Sequence, residues 1–195
     1  MDRDYQPLPI RELGANAGFR RPMPPPAARV TLESPAAQVM TDLAGCAPAT
    51  IRAQAPLAGA NQFMITRGVR LLLAVDDQEN VLGVISATDI LSERPMRVAI
   101  ERGLRRDELT VADVMTPAAQ VEVIAFEEVQ GARVGHVLET LRRAGRQHAL
   151  VVEHDGRAMV RGVFSLSQIA RQLGVAVQTG AEVARTFSEI ESAIK

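Results

Sequence analysis

The chain has 195 residues, 47% of them hydrophobic and 23% charged, enough for one compact domain or two small ones sharing an interface. Its net charge of −1 excludes the global basic excess of a nucleic-acid binder and the acidic excess of a solvating tail. The single cysteine, Cys46, forms no intramolecular disulfide and is expected as a small buried apolar side chain. No run approaches the roughly 18 apolar residues of a membrane span. The opening Met1-Asp2-Arg3-Asp4-Tyr5 lacks the order of a secretory signal, so a cytoplasmic protein is expected.

In chain order, residues 1–33 are Pro-rich, densest at Arg20-Arg21-Pro22-Met23-Pro24-Pro25-Pro26, and read as an extended, poorly ordered arm. A first unit, 34–92, follows. In it Thr50-Ile51-Arg52 is a short strand, and a helix opens at Pro56 and runs to Thr66 with Leu57, Ala60 and Met64 on one face. Gly68 closes that helix. Leu71–Val75 and Val81–Ser86 are strands joined by the polar turn at 76–80, and a second helix starts near Thr88. Residues 93–109 are a charged helical linker with Val98, Ile100 or Leu104 turned inward. The second unit, 110–174, opens with a strand over 121–126, longer than its counterpart. A helix over 133–144 follows, burying Val134, Val137, Leu138 and Leu141 and closed by Gly145. Leu150–Val152 and Met159–Phe164 form a hairpin about 154–157, and Ser167–Leu173 is a helix ended by Gly174. In the tail, 175–195, Val183, Phe187, Ile190 and Ile194 recur at helical spacing, the pattern of an amphipathic helix that docks on this chain or on a second subunit.

The second unit repeats the first. Ala37-Gln38-Val39-Met40-Thr41 returns as Ala112-Asp113-Val114-Met115-Thr116, Leu71–Asp76 as His148–Glu153, and Gly83-Val84-Ile85-Ser86 as Gly162-Val163-Phe164-Ser165. Matched landmarks in the same order mark a duplicated β-α-β-β-α unit of roughly 60 residues. Two copies are too few for a solenoid, but they suit a pseudo-symmetric pair that buries apolar surface between them and leaves equivalent clefts at the join. The expected fold class is therefore α/β, of the α+β kind.

The Val-Met-Thr start, the β-α-β-β-α unit and Gly83-Val84-Ile85-Ser86-Ala87-Thr88-Asp89 together resemble the CBS domain, named after cystathionine beta-synthase. The tandem resembles a Bateman module, over about 140 residues. The resemblance implies two units stacked through their sheets, two clefts, an adenosine derivative (AMP, ADP or ATP, with or without Mg) as ligand, and a homodimer. Such modules regulate an attached enzyme or transporter. None is seen in these 195 residues, which implies a stand-alone pair acting in trans on a client protein.

Ser86 ends a strand where a helix begins, a place where a hydroxyl and unpaired N–H groups face an anion. Asp89 lies one turn on, where a carboxylate accepts from vicinal ribose hydroxyls, and Thr88 adds a hydroxyl. The resemblance gives Ser86 the phosphate role and Asp89 the ribose role; the same residues also make a good helix cap. In the second copy Ser165 keeps the hydroxyl, but Gln168 replaces the Asp, which puts that cleft in doubt. The resemblance places the base against Thr50, Ile51 and Leu72 in one copy and Val123 and Ala149 in the other. Arg67, Arg70, Arg146 and His148, at the two helix-to-strand joins, are the phosphate candidates.

Catalysis is not expected. His136 and His154 have no motif neighbour, no metal-ligand spacing occurs, and Gly131–Gly135 lacks a phosphate-loop pattern. Arg102-Gly103-Leu104-Arg105-Arg106 and Arg142-Arg143 have no interleaved aromatics and read as solvated helix faces rather than nucleic-acid contacts. The competing function is a ligand-free interaction scaffold acting through the two tails.

Overall fold

The computed structural model describes residues 30–175, 187–190 and 192. The Pro-rich stretch before Val30, and Val183 and Ile194 of the expected terminal helix, lie outside the described residues. Phe187 and Ile190 are described, helical and buried.

Eight strands form two four-stranded sheets. The first holds β2 (Thr50–Arg52), β3 (Leu71–Val75), β4 (Val81–Ser86) and β5 (Thr116–Pro117), in that order. The second holds β1 (Thr41–Asp42), β8 (Arg157–Ser165), β7 (His148–Asp155) and β6 (Val123–Ala125). In each, a parallel pair is joined through a crossover helix and is followed by an antiparallel hairpin. The helices are α1 (Leu57–Arg67), α2 (Ala87–Leu91), α3 (Arg94–Arg102), α4 (Val111–Val114), α5 (Phe126–Gly131), α6 (Val134–Ala144) and α7 (Leu166–Gln172). The crossover helices α1 and α6 end at Gly68 and Gly145, both left-handed at φ 66° and 61°, where a β-carbon would be strained.

The two copies exchange their leading segments. β1, at the head of the first copy, pairs with β8 of the second; β5, at the head of the second, pairs with β4 of the first. The helical turn at Ala36–Val39 goes with β1: Ala36, Val39 and Met40 belong to the second copy's core. Val111 and Val114 of α4 likewise belong to the first copy's core. Two isolated bridges, Pro35 to Arg133 and Pro56 to Thr110, repeat the exchange one step outward. The Val-Met-Thr motif and the glycine motif are thus two halves of one joint. Each methionine crosses to the other copy and lies on its glycine, where a side chain would collide. A β-carbon on Gly83 would stand 2.4 Å from the Thr116 carbonyl oxygen and 3.0 Å from Met115 Sδ; one on Gly162 would stand 2.5 Å from Met40 Sδ.

Strand alternation divides the core into three layers. Leu72 and Ala74 face α1 and α2, with Met64, Ile85 and Ile90. Val151 and Phe164 face α6 and α7, with Leu138, Leu141 and Ile169. Between the sheets lie Leu73, Val75 and Leu150, with Leu71, Val84 and Val163 at their margin. One further link joins β1 to β8. Arg161 donates from Nε to Asp42 Oδ1 at 2.8 Å and from Nη2 to Oδ2 at 3.0 Å, and its third nitrogen reaches Glu153 Oε2 at 2.8 Å. This fork holds the Asp42 carboxyl down at about 2.

Several expectations are corrected. The opening strand of the second copy is Val123–Ala125, no longer than its counterpart, because Phe126 starts α5. The second hairpin is longer than the apolar pattern indicates: β7 and β8 run to Asp155 and from Arg157 about Gly156, φ 71°. In the linker Pro95 and Ala99 turn inward, with Val98 beside them, while Ile100 is 74% exposed and Leu104 38%. Cys46 is exposed, since it lies in the loop after β1 rather than on a packed strand; its thiol donates to the Asp42 carbonyl.

The joint predicts unequal costs for the two glycines. In Gly83→Ala the added methyl meets a backbone carbonyl and should cost about 1–3 kcal/mol. In Gly162→Ala it meets only the flexible Met40 side chain and should cost less. Chemical denaturation of both variants measures the difference.

Candidate functional site

The exchange builds two clefts, one at each end of the layer between the sheets. The first is floored by Val84, Ser86, Thr88 and Asp89 from the first copy and closed by Thr116, Glu122 and Gly145–His148 from the second. Its cavity volume is about 260 Å³. The second is the pseudo-symmetric counterpart. Val163, Ser165, Ser167 and Gln168 form its floor, and Thr41, Pro48, Ala49 and Gly68–Leu71 of the first copy close it around about 320 Å³. Each cleft therefore takes its helix start from one copy and its helix-to-strand join from the other. Leu71 and His148 line both.

In the first cleft Asp89 is held firmly. Its Oδ2 accepts from the Ser86 backbone N–H at 2.8 Å and the Ser86 hydroxyl at 2.6 Å, while Ser86 Oγ accepts from the Asp89 N–H. This reciprocal capping box starts α2. Asp89 Oδ1 accepts from Arg94 at 3.1 Å, and the second Arg94 terminal nitrogen donates to the Met115 carbonyl, so Arg94 also ties α3 to the exchanged strand. The Asp89 side chain retains 22% exposure and borders the cavity. On the opposite wall Arg146 pairs with Glu122 at 3.1 Å.

The floor of the second cleft carries neutral polar groups. Gln168 Oε1 accepts from the Thr41 hydroxyl at 3.2 Å, a contact between copies, and the Ser165 and Ser167 hydroxyls lie 3.1 Å apart. Arg70 and Arg171 line this cleft, and neither has a carboxylate partner among the described residues.

The sequence-derived candidates divide accordingly. Ser86, Thr88, Asp89 and Arg146 border the first cleft, Ser165, Gln168 and Arg70 the second, and His148 both. Thr50, Ile51, Leu72, Val123 and Ala149 line neither. The reason is strand parity: Leu72, Ile51 and Ala149 point to the helical layers, whereas the clefts receive Leu71, Leu73 and Leu150. Val123, in register with Leu150, is on the inter-sheet face but is 49% exposed at the sheet edge, outside both cavities. Arg67 is exposed and covers Phe63, its guanidinium carbon 5.4 Å from the ring centre. Sequence reasoning missed Arg94, Thr116, Glu122, Thr41 and Arg171. For Thr116, Glu122 and Thr41 the signal lies in the packing of the copies, since these three reach a cleft beside a floor supplied by the other copy.

Residues 36–95 match the family model for the CBS domain. That stretch is the first of the two units. No curated protein matches the chain. Among solved structures, a conserved protein from Pyrococcus horikoshii is similar at 22% identity and TM-score 0.54, over 77% of this chain and 100% of that one. The CBS domain pair of protein MJ0100, in complex with 5′-methylthioadenosine and S-adenosyl-L-methionine, is similar at 20% identity and TM-score 0.50, over 74% and 97%. The CBS domain protein TA0289 of Thermoplasma acidophilum is similar at 18% identity and TM-score 0.50, over 79% and 76%. These likenesses establish the fold, a pair of CBS units packed through their sheets.

His148 titrates abnormally. Burial pushes its imidazole down to about 4, and the Arg70 charge pushes the same way against a smaller opposing pull from Asp89. A folded-state value below the unfolded 6.5 means that the unfolded chain gains a proton first as the pH falls. Stability is therefore full above pH about 6.5 and declines towards pH 4. His148→Gln should flatten denaturation midpoints over that window.

Proposed function

We propose that this CBS pair is a regulatory module that binds an adenosine derivative in its inter-repeat clefts and passes the occupancy to a client protein. The observation that carries the reading is the first cleft. There a strand-to-helix junction bearing Ser86, Thr88 and Asp89 faces a half-open cleft whose other wall comes from the second copy. Asp89 is already anchored through Oδ2, and Oδ1 keeps a lone pair for a ribose hydroxyl beside Arg94. The MJ0100 pair, which shares this fold, holds two adenosine compounds. Because each cleft is closed by both copies, a ligand bridges them and favours whichever packing closes the cleft better; that difference in affinity is what a client would read.

A second reading has its own support. The Asp89 capping box and Arg94 link are complete without any ligand, as a scaffold that had lost binding would also show. The module is also proposed to dimerise. The helical layer of the first sheet leaves Ile65, Leu91, Met96 and Ile100 exposed at 65%, 68%, 51% and 74%. The corresponding layer of the second is covered by Phe187 and Ile190.

Thermal unfolding with adenosine, AMP, ADP, ATP and S-adenosylmethionine, with and without Mg²⁺, separates the two readings. A true ligand at 100 times its Kd stabilises the fold by about 2.7 kcal/mol. The sensor reading expects such a rise with at least one compound; a flat response to all of them leaves the scaffold. No helix among the described residues is long and apolar enough to cross a membrane.

A further inference from the structure

The two clefts have the same shape plan and opposite charge plans. Three pairs of pseudo-equivalent positions make the difference. The helix start carries Asp89 in the first cleft and Gln168 in the second. The residue before the opening strand is Glu122 in the first and Ala49 in the second. The helix-to-strand join supplies Gln147 to the first and Arg70 to the second; their carbonyl oxygens accept in the same way from the backbone N–H that opens the following helix, Leu166 and Ala87 respectively.

The first cleft thus holds two carboxylates, and its cations are spent on them: Arg146 on Glu122 and Arg94 on Asp89. The second holds no carboxylate among the described residues. It offers two guanidinium groups with no carboxylate partner among the described residues, Arg70 half-buried and Arg171 exposed, with hydroxyls at Ser165 and Ser167 between apolar walls. A phosphate brought to the first cleft would meet Asp89 and Glu122 and would have to break existing ion pairs. Brought to the second, it would meet positive charge with no ion pair among the described residues to displace, and guanidinium groups form paired hydrogen bonds to phosphate oxygens.

We propose that the second cleft is the anion site, taking the phosphate of a phosphorylated nucleoside against Arg70 and Arg171, while the first cleft takes a nucleoside without phosphate. Gln168, the departure from the repeat motif, is then a specificity residue: it keeps a hydrogen-bonding group for the sugar and removes the charge that would repel the phosphate. This assignment rests on the reading of the chain as a nucleoside-binding pair.

The test is calorimetric titration of the full chain with AMP, adenosine and inorganic phosphate, on the wild type, Arg70→Gln, Gln168→Asp, Asp89→Asn and the exposed control Arg67→Gln. Melting curves confirm that each variant is folded. The expected result is AMP binding weakened roughly tenfold to a hundredfold in Arg70→Gln and in Gln168→Asp, with Arg67→Gln like the wild type. Adenosine binding should fall in Asp89→Asn and hold in Arg70→Gln. AMP affinity that drops in Asp89→Asn but not in Arg70→Gln would overturn the assignment while leaving the sensor reading intact. Inorganic phosphate binding as tightly as AMP would overturn the nucleoside part, leaving a bare phosphate site. No binding of AMP or adenosine to the wild type would overturn both readings together.

Discussion

The rest of this structure depends on the close approach of an exchanged strand to a glycine. Met40 and Met115 leave their own copies and lie across Gly162 and Gly83 of the other, in the space where any side chain would stand. Neither four-stranded sheet is complete without the other copy's leading segment, and neither helical core is filled without the other copy's Val39 or Val111 and Val114. The two repeats therefore fold as one object. The exchange also makes the clefts: it brings the helix start of one copy against the join of the other, so a bound molecule necessarily touches both. Function, on this account, follows from a packing constraint rather than from a specialised loop.

Much of the fold was legible because the sequence states it twice. The glycine that stops α1 has its partner at the end of α6, and the apolar run of β3 has its partner in β7, so each weak signal is confirmed by position. The inward residues of α1 and α6 follow from helical periodicity alone. Parity inside a continuous apolar strand is different. Leu71-Leu72-Leu73 carries no alternation, so nothing in the residues says which leucine faces the helices and which the cleft, and an error of one position exchanges the two faces. The exchange of leading segments was equally hidden, because pairing between distant strands leaves no periodic trace. Thr41 and Thr116 were missed for that reason, and Cys46 was misjudged because composition does not reveal that its loop lies at a cleft mouth.

The departures from symmetry carry more functional information than the symmetry does. The two clefts share one plan, and differences at three equivalent positions place negative charge in one and positive charge in the other. His148 stands at the boundary, where its pseudo-equivalent is Leu71, and feels Arg70 on one side and Asp89 on the other. A module with two differently charged sites sharing one wall can compare two ligands rather than report a single one. The coupling available to such a device is the difference each ligand makes to the other's affinity, and it is reciprocal by necessity.

The most direct test of this account is a titration of adenosine into protein already saturated with AMP. Two clefts of different charge predict that adenosine still binds, with one further equivalent taken up and AMP retained. Adenosine that binds only by displacing AMP would mean a single class of site, and would contradict the division of labour between the clefts.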